Sequence, residues 1–180
     1  MIKYLIAFVI MVIFVGSVCS YYFSSEIVIV NDKDYFKAVH SEMQNANYRI
    51  HVIMYKTEYY SNKDKSINKL IEDLVRANDR DVDVKIIMEG GESYTNLPNR
   101  YPCYYLTEQD VPIKYDKYGT TTHSKLVIID DKVIIGSTNW GQQALFENKE
   151  TNVLIQSKDI SDKYESYFQD LWKESKSAEC

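Results

Sequence analysis

The chain has 180 residues, 45% of them hydrophobic and 26% charged, with only 6 glycines and 3 prolines, which excludes a disordered or collagen-like polymer and fits about one globular domain. Lys and Arg number 21 against 26 Asp and Glu, a formal charge of -5, so no global positive field exists to hold nucleic acid or anionic lipid, and any phosphate site must be local. Three cysteines (Cys19, Cys103 and Cys180) without C-x-x-C spacing support neither a zinc site nor a disulfide framework, and leave at most one Cys103–Cys180 bridge.

The amino terminus differs from the rest. Residues 4–23 contain no charged side chain, and twenty residues at ~1.5 Å each cross a ~30 Å hydrocarbon core as a helix. The same stretch also reads as a cleaved signal peptide, with Lys3 before an apolar run and Gly16, Ser17 and Ser20 near a cleavage point. Val18 before Cys19 argues against lipidation, which needs a small residue there. The division is therefore 1–23, anchor or signal peptide, and 24–180, the working domain. Because Lys3 precedes the segment and Lys33 is the first basic residue after it, the body is expected outside the cytoplasm, anchored by one pass or secreted. Without residues 1–23 the body has 20 basic against 26 acidic side chains, a formal -6.

Within the body, Glu26–Val30 is a β-branched run, and Asn31 or Asp32 can cap a helix carrying Tyr35, Phe36, Val39 and Met43 on one face. Arg49–Tyr55 predicts a second strand, and Ile67, Leu70, Ile71, Leu74 and Val75 follow at helical spacing. Val82–Met88 predicts a third strand. Residues 92–118 hold Pro98, Pro102 and Pro112 and read as loop, short strand, loop. Leu126–Ile129 and Val133–Ile135 flank Asp130-Asp131-Lys132 as a tight hairpin, Asn152–Gln156 adds a strand, and Ser161 can cap a last helix with Tyr164, Tyr167, Phe168, Leu171 and Trp172 on its apolar face. Strands alternating with amphipathic helices give an α/β sheet covered by helices.

Polar residues gather at the ends of these strands. His123 and Lys125 are two apart, as are Ser137 and Asn139 beyond Gly136, so each pair shares one face of its strand. An imidazole can attack phosphorus, while an ammonium with hydroxyl and amide donors stabilises charge on phosphoryl oxygens. Glu150 is the candidate to hold the other ring N–H of His123 and fix its tautomer.

In its HSKLVIIDDKVIIGSTNW segment and following Glu150, the chain resembles the phospholipase D superfamily, whose signature is H-x-K-x4-D, then G-S-x-N and a later Glu. Five residues, one fewer than usual, separate Asp130 from Gly136. The resemblance runs from about Val30 to Lys173 and implies a phospholipase D-like α-β-α sandwich with a mixed central sheet. It further implies a metal-independent phosphodiesterase without cofactor, with His123 as nucleophile through a phosphohistidine. Lys125, Ser137 and Asn139 would lie around the phosphate, and Asp130 and Glu150 would complete the catalytic set.

Only one copy of the signature is present, and neither His40 nor His51 is followed two residues later by Lys. Resemblance to the single-motif nucleases of the superfamily therefore implies a two-fold homodimer that places two His123 imidazoles in one cleft. Nucleic acid is the first substrate expectation, although residues 100–132 carry five basic and five acidic side chains and no net charge. Phospholipid is the alternative, and an inactive membrane-attached interaction protein the third. Tyr59-Tyr60 and Tyr104-Tyr105 are read as packing residues that could also stack bases, and His40 and His51 as structural or surface residues.

Overall fold

The computed structural model describes residues 25–61, 66–90, 97–117, 119–178 and 180. The charge-free segment 4–23, with its helix, anchor and signal-peptide readings, lies outside them. Among the described residues no helix is long and apolar enough to cross a membrane.

The described chain runs β1 (Glu26–Ile29), α1 (Lys33–Gln44), β2 (Arg49–Met54), α2 (Asn68–Asn78), β3 (Asp83–Met88), α3 (Leu97–Glu108), β4 (Ile113–Tyr115), β5 (Lys125–Ile129), β6 (Lys132–Gly136), α4 (Gln142–Phe146), β7 (Asn152–Gln156), α5 (Lys158–Glu174) and β8 (Lys176–Ser177). The strands form one mixed sheet in the order β1-β7-β6-β5-β2-β3-β4-β8. β2, β3 and β4 are parallel neighbours, whereas β5 runs antiparallel to both β2 and β6. This is the α/β sandwich with a mixed sheet that the resemblance implies.

Alternation along the strands builds two cores. Val52, Met54, Ile86, Val127 and Ile134 pack with Tyr35, Val39, Met43, Leu70 and Leu74 of α1 and α2. On the other face Ile53, Ile87, Leu126, Ile128 and Val133 pack against Phe168 of α5. Period-two burial on both faces makes the central strands read as continuous apolar runs.

Several local expectations need correction. Asp32 is not a side-chain cap of α1; its carboxylate accepts from the Glu150 backbone N–H at 2.8 Å, and Asn31 Oδ1 accepts from Asn152 N at 2.8 Å. The cap of α5 is Ser157, while Ser161 is buried inside the helix and donates its hydroxyl to the Asp130 carbonyl. Tyr167 is exposed, because the face of α5 that meets the sheet is centred on Phe168. The stretch read as loop contains α3. Pro98 falls in its first turn, where an N–H has no helical partner to lose, and Asn99, Pro102, Cys103 and Leu106 bury one stripe at helical spacing. Pro102 leaves the Pro98 carbonyl without its helical donor, a local cost offset by that burial. Cys103 bridges to Cys180, the pairing the cysteine count permits.

Candidate active site

The register brings the motif residues other than Asp130 to one end of the sheet. Met54, the last residue of β2, pairs with Lys125, the first of β5; Leu126 pairs with Ile135, and Gly136 with Asn152. The carboxyl ends of β2, β3 and β6 thus meet the amino ends of β5 and β7. The two-residue Asp130–Asp131 turn is what sets this alignment, since Ile129 pairs directly with Lys132.

His123 stands exposed just before β5, and Lys125 is buried beneath it. The ammonium of Lys125 lies 3.2 Å from His123 Nδ1, 3.4 Å from Nε2 and donates to the His123 carbonyl at 2.8 Å. An ammonium can only donate, so a ring nitrogen it bonds must carry a free lone pair, the form a nucleophile requires. Burial pushes the Lys125 ammonium below the ordinary lysine range, and the Glu150 carboxylate pulls it part of the way back.

Tyr55, immediately after β2, forms the floor of this group. Its ring centre is 4.4 Å from that of His123, and Lys125 Nζ sits 4.8 Å above it. The ring thus holds imidazole and ammonium together through a cation–π contact. Motif spacing does not reveal Tyr55. Upstream, the Thr122 N–H is shared between Glu89 Oε2 at 2.7 Å and Asp116 Oδ2 at 3.0 Å, two largely buried carboxylates that fix the chain one residue before His123.

Ser137, Asn139 and Glu150 arrive from the neighbouring strand ends. A Cβ at Gly136 would come within 2.2 Å of Asn152 Oδ1 and 2.3 Å of the Thr151 carbonyl, so only glycine lets β6 pass this close to β7. Thr138 is fully buried and bonded to Asn152, which turns its two neighbours the other way. Ser137 donates its hydroxyl to Glu150 and accepts from Thr151 N at 3.1 Å. Asn139 is half-buried, and its Oδ1 is buried with no hydrogen-bond partner among the described residues. Trp140 is core: its Nε1 donates to the Tyr35 hydroxyl at 3.0 Å.

Glu150 is where the single chain departs from the expected arrangement. Among the described residues its carboxylate accepts from Ser137 and from Asn148 Nδ2, not from His123. The Asp32 carboxylate, held below the usual range chiefly by its bond to the Glu150 N–H, fixes the backbone at this point.

Asp130 lies elsewhere. It follows the far end of β5, five residues or roughly 16 Å of strand from Lys125. Its carboxylate accepts from the backbone N–H groups of Asn47, Tyr48 and Arg49 at 2.9, 3.0 and 3.2 Å, and its carbonyl accepts from Arg49 and Ser161. Burial alone would raise its pKa, but these backbone donors hold it below the usual carboxylate range. With φ at 51°, it also supplies the left-handed turn residue. Asp130 therefore braces the hairpin and does not join the reacting group.

The other histidines are occupied. His40 bonds Asp73 at 2.5 Å, and buried His51 bonds Glu165 at 2.8 Å and Asp83 at 3.2 Å while stacking on Phe168. Of the three histidines in the sequence, His123 alone is at the motif end of the sheet. Asn99 of α3 is a further positioning residue that the sequence hides: its Oδ1 accepts from Thr57 N at 2.7 Å, and its Nδ2 reaches the carbonyls of Tyr55 and Glu89, both at 2.9 Å.

Residues 39–172 match the family described as cardiolipin synthase, PLD-like domain. The chain belongs to the phospholipase D-like family. Over 96 residues it is 30% identical to mitochondrial cardiolipin hydrolase of Xenopus laevis, an alignment covering 53% of this chain and 44% of that protein. Among solved structures, Nuc, a phospholipase D family member from Salmonella typhimurium, superposes with a TM-score of 0.75 at 21% identity, covering 87% of this chain and 100% of Nuc. NucT from Helicobacter pylori gives 0.69 at 17% identity, over 86% and 100% of the two chains. The phospholipase D-like fold is thus present over nearly the whole described body.

Proposed function

We propose that this protein is a metal-independent phosphodiesterase that hydrolyses nucleic acid through a phosphohistidine, as a homodimer. The observation that carries this reading is the His123–Lys125–Tyr55 group: an exposed imidazole held against a buried ammonium at 3.2 Å. A His123 ring nitrogen attacks phosphorus and the bond to the leaving oxygen breaks. Lys125, Ser137 and Asn139 take up the charge on the non-bridging oxygens.

The leaving oxygen needs a proton, and His40 and His51 are bonded elsewhere in the fold. His123 of the partner subunit is the group left to give it. That imidazole then takes a proton from water, the water oxygen attacks phosphorus, and the phosphorus–nitrogen bond breaks to free His123. The Cys103–Cys180 bridge supports an oxidising setting and so a body outside the cytoplasm. A second reading, phospholipid hydrolysis, is favoured by the likeness to a cardiolipin hydrolase and by the charge-free residues 4–23, which would keep the site near headgroups.

The test offers single-stranded DNA, duplex DNA, RNA and anionic phospholipid vesicles to the protein in excess chelator. Cleavage of nucleic acid is expected, with a bell-shaped dependence on pH because the pairing needs two imidazoles in opposite protonation states. Cleavage of vesicles alone establishes the second reading, and loss of all activity with chelator removes metal independence.

A further inference from the structure

We infer that a tyrosine-lined cavity beside the catalytic group is a subsite for an unpaired nucleobase next to the scissile phosphate, making single-stranded nucleic acid the substrate; this rests on the nuclease reading above. The cavity has a volume of about 480 Å³, and Tyr59, Tyr60, Tyr101, Tyr104 and Tyr105 line it with Glu58. Tyr59 and Tyr105 stack with ring centres 4.2 Å apart, while Tyr101 and Tyr104 stand 73% and 59% exposed at its edge. They lie three apart on α3, so both phenol rings project from one side of the helix.

The cavity adjoins the reaction centre through covalent structure and hydrogen bonds. Glu58 is three residues after Tyr55, a span of at most about 10 Å. The Glu58 N–H donates to the Trp140 carbonyl at 2.7 Å, and Glu58 Oε2 accepts from Gln142 N at 3.0 Å, which seats the wall beside the Asn139 loop. A Cβ on Gly141 would lie 3.0 Å from the Glu58 carboxyl carbon, so the loop and this wall are in contact. Asn99 ties the tyrosine helix to the Tyr55 and Thr57 backbone, and so fixes the distance between cavity and imidazole.

The lining chemistry selects the occupant. Among the described residues the lining is five tyrosines with Glu58, Ser61 and Pro98, so flat aromatic faces dominate over the aliphatic wall that suits an acyl chain. Glu58 is ionised but already bonded to Lys56 at 3.0 Å, to the Tyr60 hydroxyl at 2.8 Å and to Gln142 N, so its charge is spent and does not call for a cationic headgroup. What remains is a planar, uncharged π-system. A base fits that description, and proteins that hold single strands stack successive bases on aromatic side chains. In a duplex the base is already stacked and paired.

The experiment measures kcat/KM of the full chain on an intact single-stranded oligonucleotide and on a strand of the same length with abasic residues flanking the cleaved bond. Both strands are run with the protein itself, the Tyr101→Ala/Tyr104→Ala double variant and the Tyr101→Phe/Tyr104→Phe variant. The alanine pair is expected to slow intact-strand cleavage by about tenfold to a hundredfold, chiefly through KM, and to slow the abasic strand at least fivefold less. The phenylalanine pair, which keeps the ring faces, is expected to restore most of the loss. Equal slowing of both strands, or no rescue by phenylalanine, overturns the subsite. If nucleic acid is cleaved and the tyrosine pair has no effect, the subsite falls and the nuclease reading stands; if only vesicles are cleaved, both fall.

Discussion

The two ends of β5 both carry polar residues and do opposite things. At its start, His123 is exposed, and the contacts shown for its side chain are the Lys125 ammonium and the Tyr55 ring. At its end, Asp130 accepts three backbone N–H groups through its carboxylate and two further side chains through its carbonyl. A polar group whose hydrogen-bonding capacity is consumed by the fold has none left for a substrate. The group with capacity in hand is the one placed to react.

That contrast can be broken most forcefully by removing the two side chains in turn. His123→Ala is expected to reduce turnover at least a thousandfold while leaving the thermal midpoint within about 2 °C, because an exposed ring carries little of the core. If His123→Ala keeps wild-type turnover, the assignment of the nucleophile is wrong. Asp130→Ala is expected to do the reverse. Losing the carboxylate strands the Asn47, Tyr48 and Arg49 donors and puts alanine in a left-handed turn, a cost of about 2–3 kcal/mol in a urea melt. Folded Asp130→Ala protein that is fully stable but inactive would return Asp130 to the chemistry.

A smaller effect sharpens the comparison through pH. The pKa of Asp130 is lower folded than unfolded, so its contribution is fully present above the ordinary value of 3.8 and is lost as pH falls through the folded value. The stability gap between wild type and Asp130→Asn is expected to be constant above about pH 5 and to narrow below about pH 4. A gap that does not change with pH would show that the hydrogen bonds, and not the charge, brace the turn.

How much of this was legible in the sequence depended on whether a residue acts locally. The central strands announce themselves as apolar runs, and His123 does lie beside Lys125, although it stands before β5 and not on one face of it as the two-apart spacing suggests. The same motif puts Asp130 at the hairpin end of the strand, but not the Asn47, Tyr48 and Arg49 donors that define its role, since they lie more than 80 residues away. The helix α3 was hidden by its prolines, although its buried stripe keeps helical spacing once Asn99 is counted as an inward-facing residue. Asn99 could not be so counted beforehand, since its partner Tyr55 is 44 residues away. Tyr55 itself is one of 16 tyrosines and gains its place from the register of β2 against β5.

The covalent link between α3 and the last residue has a topological consequence. Cys103 and Cys180 enclose a ring with a separation of 77 residues, and His123, Lys125, Asp130, Ser137, Asn139 and Glu150 all fall inside it. Closing a ring of that size removes about 4.5 kcal/mol of freedom from the unfolded chain. A single backbone nick anywhere within it yields two fragments that stay joined, so the strands bearing the imidazole and the carboxylate cannot drift apart while the bridge is intact.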